Sequence, residues 1–367
     1  MTRVRSVELR LIGLPLVRPF RTSFGITTEK VCILARVETD HAEGWGECVA
    51  DREPDFGPEW NDGVWACLSD FLIPALLRYG DLAIEDLEPV FAFVRGNRMA
   101  KATLIDASLD AVLRERGEPL AGYLGGVSDR VACGVSLGIT ETTDELRHQV
   151  NGYLEEGYRR IKLKIEPGID VERVAAIRAD HPDILLSVDA NAAYGSEDAA
   201  IFEELDGFDL LMVEQPLRFE DLVEHAKLQR RIQTPICLDE SIRSAADAAA
   251  AIELGACRIV NIKQGRVGGL LEARRIHDVC RDAGIPVWCG GMLETGIGRA
   301  TNLALASMPN FTLPGDTSAS ARYFPDDLTE PFVLDPEGMM VVPKGHGIGV
   351  VPRLDRLEAC TLLAARF

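Results

Sequence analysis

Arg160-Ile-Lys-Leu-Lys164, Ile184-Leu-Leu-Ser-Val-Asp189, Leu210-Leu-Met-Val-Glu214, Ile236-Cys-Leu-Asp239 and Ile259-Val-Asn-Ile-Lys263 are the segments on which the fold turns. Each is a short, mostly apolar run closed by a charged residue. The closing charges, Lys164, Asp189, Glu214, Asp239 and Lys263, follow one another at intervals of 25, 25, 25 and 24 residues. That interval holds one strand and one returning helix. Similar apolar runs at 131–137, 287–289 and 311–313 bring the series to eight. Helix punctuation separates them: Thr143-Asp144 opens a helix that stops at Gly157, Ser244 opens one that stops at Gly255, and Gly268 and Gly284 bracket a third. The pattern predicts an α/β fold, a (β/α)7β TIM-like barrel. An open doubly wound sheet is the structural alternative, but it rarely uses so many regular units.

Outside this series the pattern changes. Residues 4–14 and 31–39 read as strands, and Glu43-Gly-Trp-Gly-Glu47 reads as a glycine-rich turn between extended segments. Helical periodicity covers 61–78 and 98–116. Strands followed by helices suggest an α+β capping domain over residues 1–125, ahead of a barrel over 126–320. The segment 321–367, punctuated by Pro325, Pro331, Pro336 and Pro343, loses the alternation and is expected to pack back on the cap.

Composition narrows the function. The 367 residues carry a net charge of −19 with no basic cluster, which excludes nucleic acid as a partner. No membrane span and no signal core are visible, so a cytoplasmic protein is expected. A homo-oligomer and a small-molecule carboxylate partner are also expected, neither of them read from composition. Nine cysteines without a C-x-x-C pair read as buried, reduced thiols. The six histidines fall in helix or loop patterns and are not expected to be ligands.

The strand-end charges converge on one barrel mouth. With 131–137 as strand one, Asp189, Glu214 and Asp239 end strands three, four and five. Unpaired, these carboxylates would repel one another. A hard divalent cation relieves that, Mg2+ first, with Mn2+ or Co2+ able to substitute. Lys164 and Lys263 end strands two and six, opposite one another in an eight-stranded barrel. Lys162 lies two residues before Lys164 and points the same way, so their repulsion is expected to lower the Lys164 pKa toward about 7–8. A base there, a cation on the substrate carboxylate and a lysine opposite make a site for removing the proton alpha to a carboxylate.

The order Lys162-Leu-Lys164, Asp189-Ala-Asn191, Glu214-Gln-Pro216, Asp239-Glu-Ser241 and Asn261-Ile-Lys263 resembles the muconate-lactonising branch of the enolase superfamily. Trp288-Cys-Gly-Gly-Met-Leu-Glu-Thr-Gly-Ile-Gly298 and Leu313-Pro-Gly-Asp-Thr-Ser-Ala-Ser320 look like the N-acylamino acid racemases and o-succinylbenzoate synthases within it. The likeness extends to Pro19-Phe-Arg-Thr-Ser-Phe-Gly25 and Gly44-Trp-Gly-Glu-Cys48. It implies Lys164 and Lys263 as the acid/base pair and Asp189, Glu214 and Asp239 as metal ligands, with Asn191 and Glu240 orienting those ligands. It further implies that Lys162 contacts the substrate carboxylate or tunes Lys164, and that Phe20, Phe24 and the 48–58 stretch form cap loops over the substrate. Ser136, Gly291 and Met292 are placed to line the pocket. Gln264 stands where several relatives carry proline, and Glu294 could equally cap the helix that follows it.

Muconate-type cycloisomerisation and dipeptide epimerisation are the neighbouring alternatives. A dipeptide epimerase would be expected to carry an acidic pair after strand eight, where Gly315-Asp316-Thr-Ser offers one acid. A Schiff-base lysine on a pyridoxal phosphate barrel leaves the three in-phase carboxylates unexplained, and an inactive binding protein would be expected to have lost one of the five charges.

Overall fold

The computed structural model describes residues 2–367. The N-terminal sheet contains β1 (Thr2–Arg21), β2 (Ile26–Thr39) and β3 (Glu43–Glu47), all antiparallel, and the C-terminal strand Thr361–Arg366 adds to the far edge of β1. Helix α1 (Arg98–Arg116) covers the sheet, and its residues 102–113 are buried throughout. The Glu43–Glu47 stretch is therefore a strand and not the expected turn. Its glycines serve close approach to α1. A Cβ on Gly44 would meet the Ala107 carbonyl oxygen at 2.1 Å, and one on Gly46 would meet that of Thr103 at 2.1 Å. The helix expected over 61–78 is three pieces, with a π-helical turn at Leu68–Leu72 between Asn61–Cys67 and Ile73–Tyr79. Pro74 has no N–H to continue an α ladder there.

Seven strands form one parallel sheet in chain order: β4 (Gly134–Leu137), β5 (Arg160–Lys164), β6 (Leu185–Asp189), β7 (Val213–Glu214), β8 (Ile236–Leu238), β9 (Ile259–Ile262) and β10 (Val287–Cys289). Most are buried along their whole length, as a parallel sheet under helices requires. The expected run 131–137 divides at Cys133, and its first part, Arg130–Ala132, pairs instead with Met339–Val341. The expected run 311–313 makes no ladder. It gives one bridge from Phe311 to Val287, and Gly315 bridges Cys133, so the segment touches both edges of the sheet. Pro314 lies between the two bridges and cannot donate to a ladder.

The helix signals hold at Ser244, which accepts from Asp247 N–H, and at Gly255, which ends that helix at φ +66°. The helix expected to open at Thr143-Asp144 is capped one residue earlier, by Thr142, which accepts from Glu145 N–H, and it ends at Glu155 rather than Gly157. After β9 a short helix, Gln264–Val267, precedes α2 (Leu270–Asp282). The seam between cap and barrel runs through this point. Asp106 of α1 accepts from Leu270 N at 2.9 Å, at the start of α2. Burial pushes the Asp106 carboxyl up to about 7, although that hydrogen bond favours its charged form.

The unfolded chain ionises Asp106 near pH 4, whereas the folded chain keeps the proton to about pH 7. Its contribution to stability is therefore full below pH 4 and is lost as pH rises through that window. Asp106→Asn keeps the acceptor and removes the ionisation. Thermal melts should place the variant several degrees above the parent at pH 8 and level with it at pH 4. A melting difference independent of pH would contradict this assignment.

Candidate active site

Residues two apart on a strand share a face, and here that face is the inside of the seven-stranded half-barrel. Met212, Cys237, Ile259 and Trp288 pack together inside as an apolar plug. Moving two residues toward the carboxyl ends gives Glu214, Asp239, Asn261 and Gly290. Lys164 pairs in register with Asp189, and Asp189 with Glu214, so three charges stand side by side at one level. On β5 the same face carries Arg160, Lys162 and Lys164. The guanidinium of Arg160 and the ammonium of Lys162 lie over the Trp288 ring, 5.0 and 4.8 Å from its centroid.

The charges form buried pairs. Lys164 Nζ donates to Asp189 Oδ2 at 2.6 Å and to Asn191 Oδ1. Asn191 donates onward to Glu240 Oε1 at 2.9 Å. Lys162 Nζ contacts Glu214 Oε2 at 2.8 Å, Asp189 Oδ2 at 3.2 Å and Asp316 Oδ2 at 2.7 Å. Lys263 Nζ lies 2.7 Å from Asp239 Oδ2, and Arg266 Nε lies 3.1 Å from Asp239 Oδ1. Backbone strain collects at the same level. Asn191, Ala192, Gln215 and Leu293 all adopt positive φ, between +38° and +62°, and none is glycine. Such conformations persist where a surrounding structure imposes them, often at functional sites.

Burial works to raise the carboxyls, and neighbouring charges decide the outcome. Lys164 and Lys162 hold Asp189 below its ordinary value despite its burial. Lys263 and Arg266 do the same for Asp239. Glu214 is pushed up to about 8 by burial and by Asp189. Glu240 is pushed up to about 7 by burial and by Asp239. Burial opposes the charged form of Lys162, but Asp316, Glu214 and Asp189 outweigh it and raise the group well above its ordinary value.

One cavity gathers most of the predicted residues, while Glu240 lines a neighbouring one beside Arg266. Lys162, Lys164, Asn191 and Lys263 line the first from the barrel, together with Ser136, Gly291 and Met292. Phe20, Phe24 and Phe56 close it from the cap, the last with its ring 4.8 Å from Lys263 Nζ. Asp189, Glu214 and Asp239 lie just beneath, fully buried. Their oxygens suit a hard divalent cation. Glu240 Oε2 is buried and accepts no hydrogen bond, the Asp239 oxygens meet only the ammonium of Lys263 and the guanidinium of Arg266, and Glu214 is under strong carboxylate repulsion. Among the described residues no three acidic side chains are gathered at ligand spacing, since each carboxylate leans on a cationic side chain. The donor set nonetheless fits the cation.

Residues 145–356 match the family model described as Enolase C-terminal domain-like. The chain belongs to the enolase superfamily. Among enolase-superfamily relatives it is 56% identical over 360 residues to an N-succinylamino acid racemase of Amycolatopsis sp, covering 98% of each chain. It is 47% identical to an o-succinylbenzoate synthase of Geobacillus stearothermophilus, covering 99% of this chain and 97% of the relative. A crystal structure of an enolase-superfamily member from Listeria innocua superposes with a TM-score of 0.96 at 38% identity, over 100% of this chain and 99% of that one.

Several expectations for this enolase-superfamily site need correction. The ammonium of Lys162 was expected to act on Lys164 by repulsion, but it sits among three carboxylates that compensate its charge. Glu294 does not cap the following helix α3 (Gly296–Ala306). Thr295 does so, and Glu294 instead accepts from Met292 N at 2.8 Å and Asn302 Nδ2 at 2.9 Å, holding the strained pocket loop. Gln264 is buried and opens the short helix whose N-cap is Lys263.

Asp316, Arg160, Asn261, Arg266 and Asp51 were not singled out as site residues. Arg160 and Asn261 could have been, because each lies two residues from a chosen lysine. His225 is spent on backbone groups of Leu217 and Asp221, and His277 has Nδ1 3.0 Å from Asp278 Oδ1 while Nε2 accepts from Asn310 N at 3.4 Å, so neither is free to be a ligand. All nine cysteines are buried and unpaired. Among the described residues no helix is long and apolar enough to cross a membrane.

Proposed function

We propose that this enzyme abstracts the proton alpha to a carboxylate, as an N-succinylamino acid racemase, an o-succinylbenzoate synthase or both. The observation that carries the reading is the placement of two lysines on one cavity. Lys164 ends β5 and Lys263 follows β9, four strands further along the sheet, with Asp189, Glu214 and Asp239 on the three strands between. The two most similar relatives named above carry those two activities in their names.

In this reading Asp189, Glu214 and Asp239 hold a divalent cation, Mg2+ or else Mn2+ or Co2+. When bound, it supplies positive charge to the substrate carboxylate, where removing the alpha proton builds a second negative charge. Lys164, once deprotonated, takes the proton from one face while Asn191 Oδ1 steadies its Nζ. Lys263, protonated, returns a proton to the other face, which inverts the carbon. A leaving group on the next carbon diverts the same carbanion to elimination, for which one base and a cationic neighbour suffice. Ser136, Gly291, Met292, Phe20 and Phe24 shape the wall around the rest of the substrate.

A muconate cycloisomerase of Rhodococcus opacus is 26% identical, and a dipeptide epimerase of Cytophaga hutchinsonii shares the fold at 25%. The epimerase reading is weakened by Asp316. Its oxygens are held by Arg160 and Lys162 and are not free for a substrate ammonium. The test is a substrate panel with Mg2+ in D2O: N-succinylamino acids, dipeptides and the cyclohexadiene precursor of o-succinylbenzoate. Alpha-proton exchange is expected with the N-succinylamino acids, and elimination with the precursor. Neither reaction with any of these would overturn the proposal.

A further inference from the structure

The cap's share of the cavity wall is apolar or hydroxylic except at one position. Phe20, Phe24 and Phe56, with Thr22 and Thr27, make up the rest, and Asp51 is the charged side chain among them. Its backbone is fixed: Asp51 bridges Trp60, and its carbonyl accepts from Asn61 N at 2.8 Å. Its Oδ1 accepts from Lys30 Nζ at 2.9 Å. That ammonium is 1% exposed and also donates to Val49 O at 3.3 Å, while the Asp51 side chain stays 34% exposed. Among the described residues Oδ2 accepts no hydrogen bond. Asp316, across the cavity, has both oxygens occupied. Asp51 is thus a held carboxylate with one acceptor left open, on a cavity that the cap otherwise lines with aromatic and hydroxyl side chains.

We infer that Asp51 determines specificity, selecting carboxylate substrates whose distal arm carries a hydrogen-bond donor over those with an apolar arm of equal length. This rests on the proton-abstraction reading above and names the substrate class within it. An apolar arm packed against Phe20 and Phe56 removes water from Oδ2 and gives nothing in return. A buried acceptor left without a donor is costly, and a site built around such an acceptor rejects the analogue that lacks the donor. Lys30 compensates the carboxylate charge, so a neutral amide satisfies the site and a cationic arm is not required.

The experiment compares N-succinylglutamine with N-succinylmethionine, arms of similar length that differ in the donor. Alpha-proton exchange is measured for the parent, for Asp51→Leu and for the double variant Lys30→Met with Asp51→Leu. The double change avoids stranding a buried ammonium, which the single change does. The parent should favour glutamine in kcat/KM by about tenfold or more, given the partial exposure of the acceptor. In the double variant the ratio should fall to near one, through KM for glutamine rising while kcat holds. Exchange without preference in the parent, or a preference unchanged in the double variant, would overturn the Asp51 inference alone. Absence of exchange with both substrates in the parent would overturn the proton-abstraction reading and this inference with it.

Discussion

Lys263→Ala should abolish racemisation, lowering kcat by about 10^3-fold or more on the usual scale of a positioned acid/base. The side chain lies on the cavity, 6% exposed as a residue, with Asp239 its main partner. Inversion needs a proton delivered to the face from which none was taken, and Lys164 cannot reach both faces from the second strand. KM should change little, because the lysine acts on a proton while the cap and the cation hold the substrate. Polarimetry on a single enantiomer reads the loss. Alanine also leaves Asp239 with Arg266 as its remaining buried cation. Thermal melts must therefore accompany the assay, and Lys263→Met, which preserves the stem, should give the same loss. Racemisation that persists in a folded Lys263 variant would remove the two-face account.

The second large effect comes from the cation. Chelation should reduce exchange by at least two orders of magnitude, and Mg2+ should restore it, with Mn2+ or Co2+ as replacements. Stability supplies a readout independent of turnover. Three carboxylates on adjacent strands stand at the same mouth, and binding a divalent ion to the folded state alone raises the melting temperature with its concentration. Asp239→Asn should weaken that shift and call for more metal to reach full rate. A chelated enzyme with undiminished activity, or melts indifferent to Mg2+, would contradict the assignment of Asp189, Glu214 and Asp239 as ligands.

How much of this was legible in the sequence depended on phase. Lys164, Asp189, Glu214, Asp239 and Lys263 recur with the β/α repeat, and the structure puts their strands in chain order in one parallel sheet. Register puts Lys164, Asp189 and Glu214 side by side, whereas Asp239 and Lys263 lie two and four residues beyond the residues aligned with Glu214 on their strands. Asp316 and Asp51 obey no such phase. Asp316 follows a segment that Pro314 keeps out of the ladder, and Asp51 reaches the cavity from another domain. Arg266 arrives through a helical turn that begins just after Lys263.

The misread turn at Glu43-Gly-Trp-Gly-Glu47 has the same origin. Glycine marks both reversals and close packing, and only the position of α1 tells them apart. The partners of Lys162 could not be inferred either. The sequence showed a like charge two residues away, while the three compensating carboxylates come from two other strands and the loop after 314.

The central claim is that two lysines serve opposite faces of one carbon. Its most direct test is deuterium wash-in at the alpha carbon, followed by proton NMR, with each pure enantiomer of one N-succinylamino acid. Lys164→Ala and Lys263→Ala are compared in D2O with saturating Mg2+. The account predicts that each variant exchanges one enantiomer only, that the two variants choose opposite enantiomers, and that neither racemises. Exchange of the same enantiomer by both variants, or racemisation by either, would contradict it.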